Sequence, residues 1–88
     1  MRVVLSPRAE KQLKKLPKIA QIAAANKIRS IRDNDITVNE EKLGGYKNIY
    51  RVRIGDYRIV YRKMVGELYI VLIHHRKDVY LLLHRLFN

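Results

Sequence analysis

Apolar and polar positions follow two different periods along the chain. Val3-Val4-Leu5 is a short strand-like run. Ser6-Pro7 then opens a helix, because serine is a good N-cap and proline suits the first helical position. Ala9, Leu13 and Leu16 recur at i, i+4 and i+7 as one apolar stripe, with Lys11, Lys14 and Lys15 off it. Pro17 ends this helix and suits the first turn of the next. A second helix is predicted from about Lys18 to about Arg32. Ala20, Ala24, Ile28 and Ile31 make its stripe, and Ile19, Ile22 and Ala23 widen it. Two helices joined at a proline read as a helical hairpin. Residues 33–47 follow as a mostly polar connection, in which residues 36–38 can add a short helical or extended piece and Gly44-Gly45 marks a turn.

The period then changes to two. Strands are predicted over Ile49 to Ile54, Tyr57 to Lys63 and Glu67 to His75, separated by Gly55-Asp56 and Val65-Gly66. Asp78 can cap a last helix whose Val79, Leu82, Leu83 and Leu86 fall at i, i+3, i+4 and i+7. The order β-α-α-β-β-β-α predicts one α+β domain over residues 1–88. The helical hairpin and the C-terminal helix pack on a four-stranded, mainly antiparallel sheet.

Strand parity then sorts the charges. With Gly55-Asp56 as a two-residue turn, Arg53 pairs with Arg58, Arg51 with Val60 and Tyr50 with Tyr61. Paired residues share a face and faces alternate. One face carries Tyr50, Val52, Ile54, Tyr57, Ile59 and Tyr61 and is the core face. The other carries Ile49, Arg51, Arg53, Arg58, Val60 and Arg62, with no carboxylate expected among its arginines. Like charges directly opposite destabilise a sheet. Either an anion sits between these groups, or the arginine stems pack on their neighbours on a solvated face. If Val65-Gly66 is also a two-residue turn, Arg62 pairs with Tyr69 and Arg58 with Ile73. His75 is then expected on the arginine face, His74 toward the core, and Arg76 and Tyr80 at the edge of the same face.

Composition strengthens the anion reading. The chain has 88 residues, 19 Lys+Arg against 8 Asp+Glu, and a formal net charge of +11. Asp33, Asp35, Glu40 and Glu41 hold half of the acids within nine residues, so the rest is more basic still. Such a surface seeks polyanions, and nucleic acid is the expected partner ahead of a membrane surface. The absence of cysteine excludes disulfides and thiolate zinc sites and suits a cytoplasmic location. No apolar leader and no membrane span are expected. Three histidines and scattered acids form no metal-ligand pattern. There is no phosphate-binding glycine loop, no serine elbow and no pair of carboxylates placed for acid and base work.

Three stretches carry a resemblance: SPRAEKQLKKLPK at the start, EKLGGYKNIYRVRIGDYRIVYRK in the middle and HHRKDVY near the end. In order and spacing they resemble the RelE/ParE toxin superfamily, in particular its RelE-like mRNA interferases. The resemblance covers nearly the whole chain. It implies a toxin of a type II toxin–antitoxin system that cuts mRNA in the 30S ribosomal A site, without cofactor or metal, and is neutralised by an acidic antitoxin. Arg51 and Arg53 stand where relatives have basic strand residues that contact RNA phosphate, and Arg62 joins them by its place on the same face. Arg58 stands at the basic position that stabilises the transition state. Arg76 stands at the position that serves the leaving oxygen, and Tyr80 at the aromatic that stacks on a base. Two departures matter. Arg53 replaces the lysine assigned as base in the best-known member, and an arginine does not deprotonate. His74 stands where many relatives have glycine. His75 is the first candidate for the base, by proximity alone. A gyrase poison of the ParE branch and a non-catalytic nucleic-acid-binding module are the alternatives.

Overall fold

A computed structural model describes residues 1–35 and 37–75. The expected last helix lies outside the described residues, as do Arg76, Tyr80 and His84. The elements run β1 (Arg2–Leu5), α1 (Pro7–Lys15), α2 (Lys18–Arg32), β2 (Glu41–Lys42), β3 (Ile49–Ile54), β4 (Tyr57–Met64) and β5 (Glu67–His75).

Local chemistry explains the helical ends. The Ser6 hydroxyl oxygen accepts the Ala9 N–H at 2.9 Å, with Pro7 at the first helical position. Pro17 separates the two helices. The Gln21 amide then donates to the carbonyls of Lys14 and Leu16 at 2.9 and 3.1 Å, satisfying groups that the end of α1 leaves open. Helix α2 buries Ala24, Ile28 and Ile31 as its stripe predicts. Ile19 and Ile22 do not widen that stripe; they are 83% and 54% exposed.

The strands form one mixed sheet in the order β1-β5-β4-β3-β2, with β1 parallel to β5 and the other pairs antiparallel. The described residues thus form five strands where four were expected. The added strand, Glu41–Lys42, falls inside the connection read as polar and loop-like. Two residues carry no period to detect; cross-strand pairing with Arg51 and Tyr50 makes them a strand.

Both helices cover one face. There Ala9, Leu16, Ala24, Ile28 and Ile31 pack on Val52, Ile54, Ile59, Tyr61, Leu68, Ile70 and Ile73. A smaller apolar cluster of Leu43, Ile49, Val60, Val71 and Leu72 lies apart from this core. β4 and β5 pair in step from Met64 and Glu67 to Tyr61 and Ile70. Val60 then faces Leu72, so Val71 is an extra residue, a β-bulge.

Candidate active site

The β3–β4 hairpin has the register that parity predicts. Ile54 pairs with Tyr57, Arg53 with Arg58, Val52 with Ile59, Arg51 with Val60 and Tyr50 with Tyr61. Gly55 opens its turn at φ 57°, a conformation that favours glycine. The core face is also as expected: Val52, Ile54, Ile59 and Tyr61 are buried, with Tyr50 and Tyr57 packed against them. The Tyr50 and Tyr61 rings stack with centroids 6.0 Å apart.

Arg51, Arg53 and Arg58 come together on the opposite side. They line a cavity of about 310 Å³ with Lys27 of α2, Asn39 of the connection and Glu41. The cavity lies at the start of β2, where Glu41 pairs with Arg51, and takes in Val52 and Arg53 of β3, which β2 does not pair. Arg62 is not part of it. It pairs with Ile49 and Tyr69, four residues along β4 from Arg58 and roughly 13 Å away at the usual strand rise.

A carboxylate does stand among these arginines, contrary to expectation. Glu41 accepts from Arg51 Nε at 3.1 Å and Nη2 at 2.7 Å. Hydrogen bonding and then the charge of Arg51 hold the Glu41 carboxyl below the usual carboxylate range, and the charges of Arg58 and Arg53 add to this. The sequence hid this contact because the short strand that delivers Glu41 has no signature of its own. Its neighbour fixes the placement. Glu40 accepts from the Tyr61 hydroxyl and from Lys63 Nζ. Burial, followed by the hydrogen bond to Glu40, pushes the Tyr61 phenol well above its ordinary value. Lys63 also sits over the Tyr50 ring at 4.7 Å.

The two histidines exchange the faces expected of them. The bulge at Val71 brings His74 opposite Arg58 and His75 opposite Tyr57. The His75 ring meets the Tyr57 ring edge-on, centroids 5.9 Å apart, on the core face. His75 therefore does not join the arginine cluster, and its proximity to Arg58 is lost as a reason to assign it the base. The continuous run from Leu68 to Ile73 offers no alternation from which the slip could be read.

Sequence reasoning missed Lys27, Thr37, Asn39 and Glu41 as cavity residues, and it missed that His74 pairs with Arg58 while lining a neighbouring cavity beside α1. Lys27 lies off the buried stripe of α2, and nothing in its local sequence points to the sheet. Among the described residues, no group of three or more His, Cys, Asp or Glu is placed to hold a metal ion. No described helix is long and apolar enough to cross a membrane.

A helical hairpin on one face of this sheet defines the RelE-like toxin fold, and solved structures share it. The RelB–RelE antitoxin–toxin complex from Methanococcus jannaschii matches with a TM-score of 0.75 and 24% identity, over 88% of this chain and 94% of that one. The archaeal RelE–RelB complex from Pyrococcus horikoshii OT3 matches at 0.69 and 26%, over 85% and 93%. The YoeB dimer from Staphylococcus aureus matches at 0.73 and 20%, over 85% and 95%. No match is found among curated proteins. The family described as "ParE toxin of type II toxin-antitoxin system, parDE" matches residues 3–80. The chain belongs to this family of type II toxins, within the RelE/ParE superfamily.

Proposed function

We propose that this toxin is an endoribonuclease that cleaves mRNA in the ribosomal A site, in the cytoplasm, until an acidic antitoxin covers it. The observation that carries this reading is the convergence of Arg51, Arg53, Arg58 and Lys27 on one cavity. RNA brings its own nucleophile, the 2′-hydroxyl. Its attack on the adjacent phosphorus places negative charge on the phosphoryl oxygens. Fixed guanidinium groups aimed at that charge can stabilise the transition state by several kcal/mol without a metal, and their planar forks match phosphate geometry. Arg58, half-buried and central, has the part of transition-state stabiliser; Arg51 and Arg53 hold flanking phosphate oxygens, and Arg62 holds a more distant phosphate. Arg76 serves the leaving oxygen and Tyr80 stacks on a base. The products are a 2′,3′-cyclic phosphate and a 5′-hydroxyl. An antitoxin partner is supported by the RelB-bound relatives.

Primer extension on cellular mRNA after induction, beside an Arg58→Ala control, tests this. New codon-spaced stops with the wild-type chain and none with the variant are expected. Intact mRNA with the wild-type chain overturns it.

One observation favours a second reading: the matching family description names ParE. On that reading the chain poisons DNA gyrase. A gyrase cleavage-complex assay showing trapped double-strand breaks, with mRNA left intact, selects it.

A further inference from the structure

The bulge at Val71 does more than relieve the register of two strands. One extra residue inverts the parity of everything after it, so His74 continues the row that Arg53 and Arg58 begin. The row runs across β3, β4 and β5 on one face: two guanidinium groups, then an imidazole. We infer that His74 is the general base that takes the proton from the attacking 2′-hydroxyl; this rests on the ribonuclease reading above.

The placement is built, not incidental. Ser6 donates its hydroxyl proton to the Val71 carbonyl at 2.6 Å, while its backbone N–H donates to Ile70 at 2.9 Å. Gln12 of α1 accepts the Ile73 N–H at 2.7 Å, one residue before His74. Ser6 is buried. Side chains of the first helical turn and a half thus hold the backbone at the bulge and up to the histidine.

The chemistry needs such a neighbour. The 2′-oxygen lies beside the phosphorus it attacks. The group that steadies the phosphoryl oxygens and the group that takes the proton must therefore stand side by side. Directly opposed residues on antiparallel strands have Cβ atoms about 5 Å apart. Arg58 can supply the first function, but neither it nor Arg53 can accept a proton. Histidine is the side chain whose ordinary protonation range spans neutrality. In the step, an imidazole nitrogen of His74 takes the 2′ proton and the 2′-oxygen bonds to phosphorus. The bond from phosphorus to the 5′-oxygen breaks, and its electron pair leaves with that oxygen. The 5′-oxygen takes a proton from water, and the imidazolium returns its own to solvent. Among the described residues, the charged and titratable groups around His74 are Arg58 and Tyr57 on β4, His75 beside it on β5, and Arg8, Lys11 and Lys15 on α1, with which it lines a cavity next to the arginine one. Arginine and lysine side chains ordinarily keep their charge across the range where histidine titrates.

Single-turnover cleavage of a short 5′-labelled mRNA on programmed ribosomes tests the inference across about pH 5 to 8. His74→Gln is expected to slow cleavage by about 100-fold or more and to abolish the loss of rate at acid pH. Its half-saturating concentration should stay close to wild type. His75→Gln should keep the acid limb. Added imidazole should restore cleavage to His74→Gly, and this decides the matter if His74→Gln does not fold. An unchanged rate and acid limb in His74→Gln, or no response of His74→Gly to imidazole, overturns the assignment while the ribonuclease reading stands. No cleavage by the wild-type chain overturns both.

Discussion

Arg53 and Arg58 face each other directly across β3 and β4, two like charges at a position where opposite charges would stabilise the pair. The exposed Arg53 and half-buried Arg58 share this row, and the cavity beside it takes in both. Such a repulsion would cost the folded state, and a bound phosphate would relieve it.

Relieving that repulsion should therefore separate stability from function. Arg53→Thr is expected to raise unfolding stability by about 0.2–1 kcal/mol. The same change should lower cleavage of translated mRNA at least tenfold. A urea midpoint and a primer-extension time course measure the two. A variant that is less stable and equally active contradicts the row as an anion site.

Glu41 occupies the arginine cluster with a carboxylate of the chain's own. Glu41→Gln should tighten RNA binding and make its salt dependence steeper by about one phosphate contact. Filter binding to a short RNA from low to moderate salt checks this. An affinity that falls on substitution would show that Glu41 helps to order Arg51 more than it competes with phosphate.

The same residue sets a pH dependence. Its carboxyl is held below the usual range in the folded chain, chiefly by the Arg51 hydrogen bonds. A depressed folded value adds stability that is fully present above the unfolded one, near 4.3 for an ordinary glutamate, and is lost as pH falls through the folded one. Thermal melts should therefore lose stability as pH falls below about 4.3, and Glu41→Gln should flatten that slope. An unchanged slope would assign it to other carboxylates, such as Asp33 or Asp35, which are also depressed.

Ser6 caps α1 and ties the helix to the bulge. Ser6→Ala removes both bonds from a buried site and should cost about 1–3 kcal/mol in urea unfolding. Ser6→Thr keeps the hydroxyl and should restore much of that loss. Equal stability of all three chains would leave the bulge without its anchor.

The sequence made much of this legible where burial imposes a period. The stripe of Ala24, Ile28 and Ile31 and the alternation from Tyr50 to Tyr61 follow from one face being buried, and the register of β3 on β4 follows from both. Where neither neighbour is polar the rule lost its grip. From Leu68 to Ile73 every residue is apolar, and the bulge that exchanges the histidines left no trace there. The two-residue strand β2 was silent for another reason. Its stability comes from pairing with β3 and from the Glu40 and Glu41 side chains reaching residues that stand ten to twenty-three positions away. Lys27 and Asn39 reach the site only through tertiary packing.

Among the described residues, no strand pairs with β5 on the β1 side past Leu5, from Val71 to His75. An uncovered strand edge is a template for another chain. Ser6 takes the Val71 carbonyl and Gln12 takes the Ile73 N–H, so side chains of α1 and its cap occupy bonding positions that a neighbouring strand would use. The same bonds that aim the histidine thereby blunt a route to edge-to-edge aggregation, and a change at Gln12 should show itself in solubility as well as in catalysis.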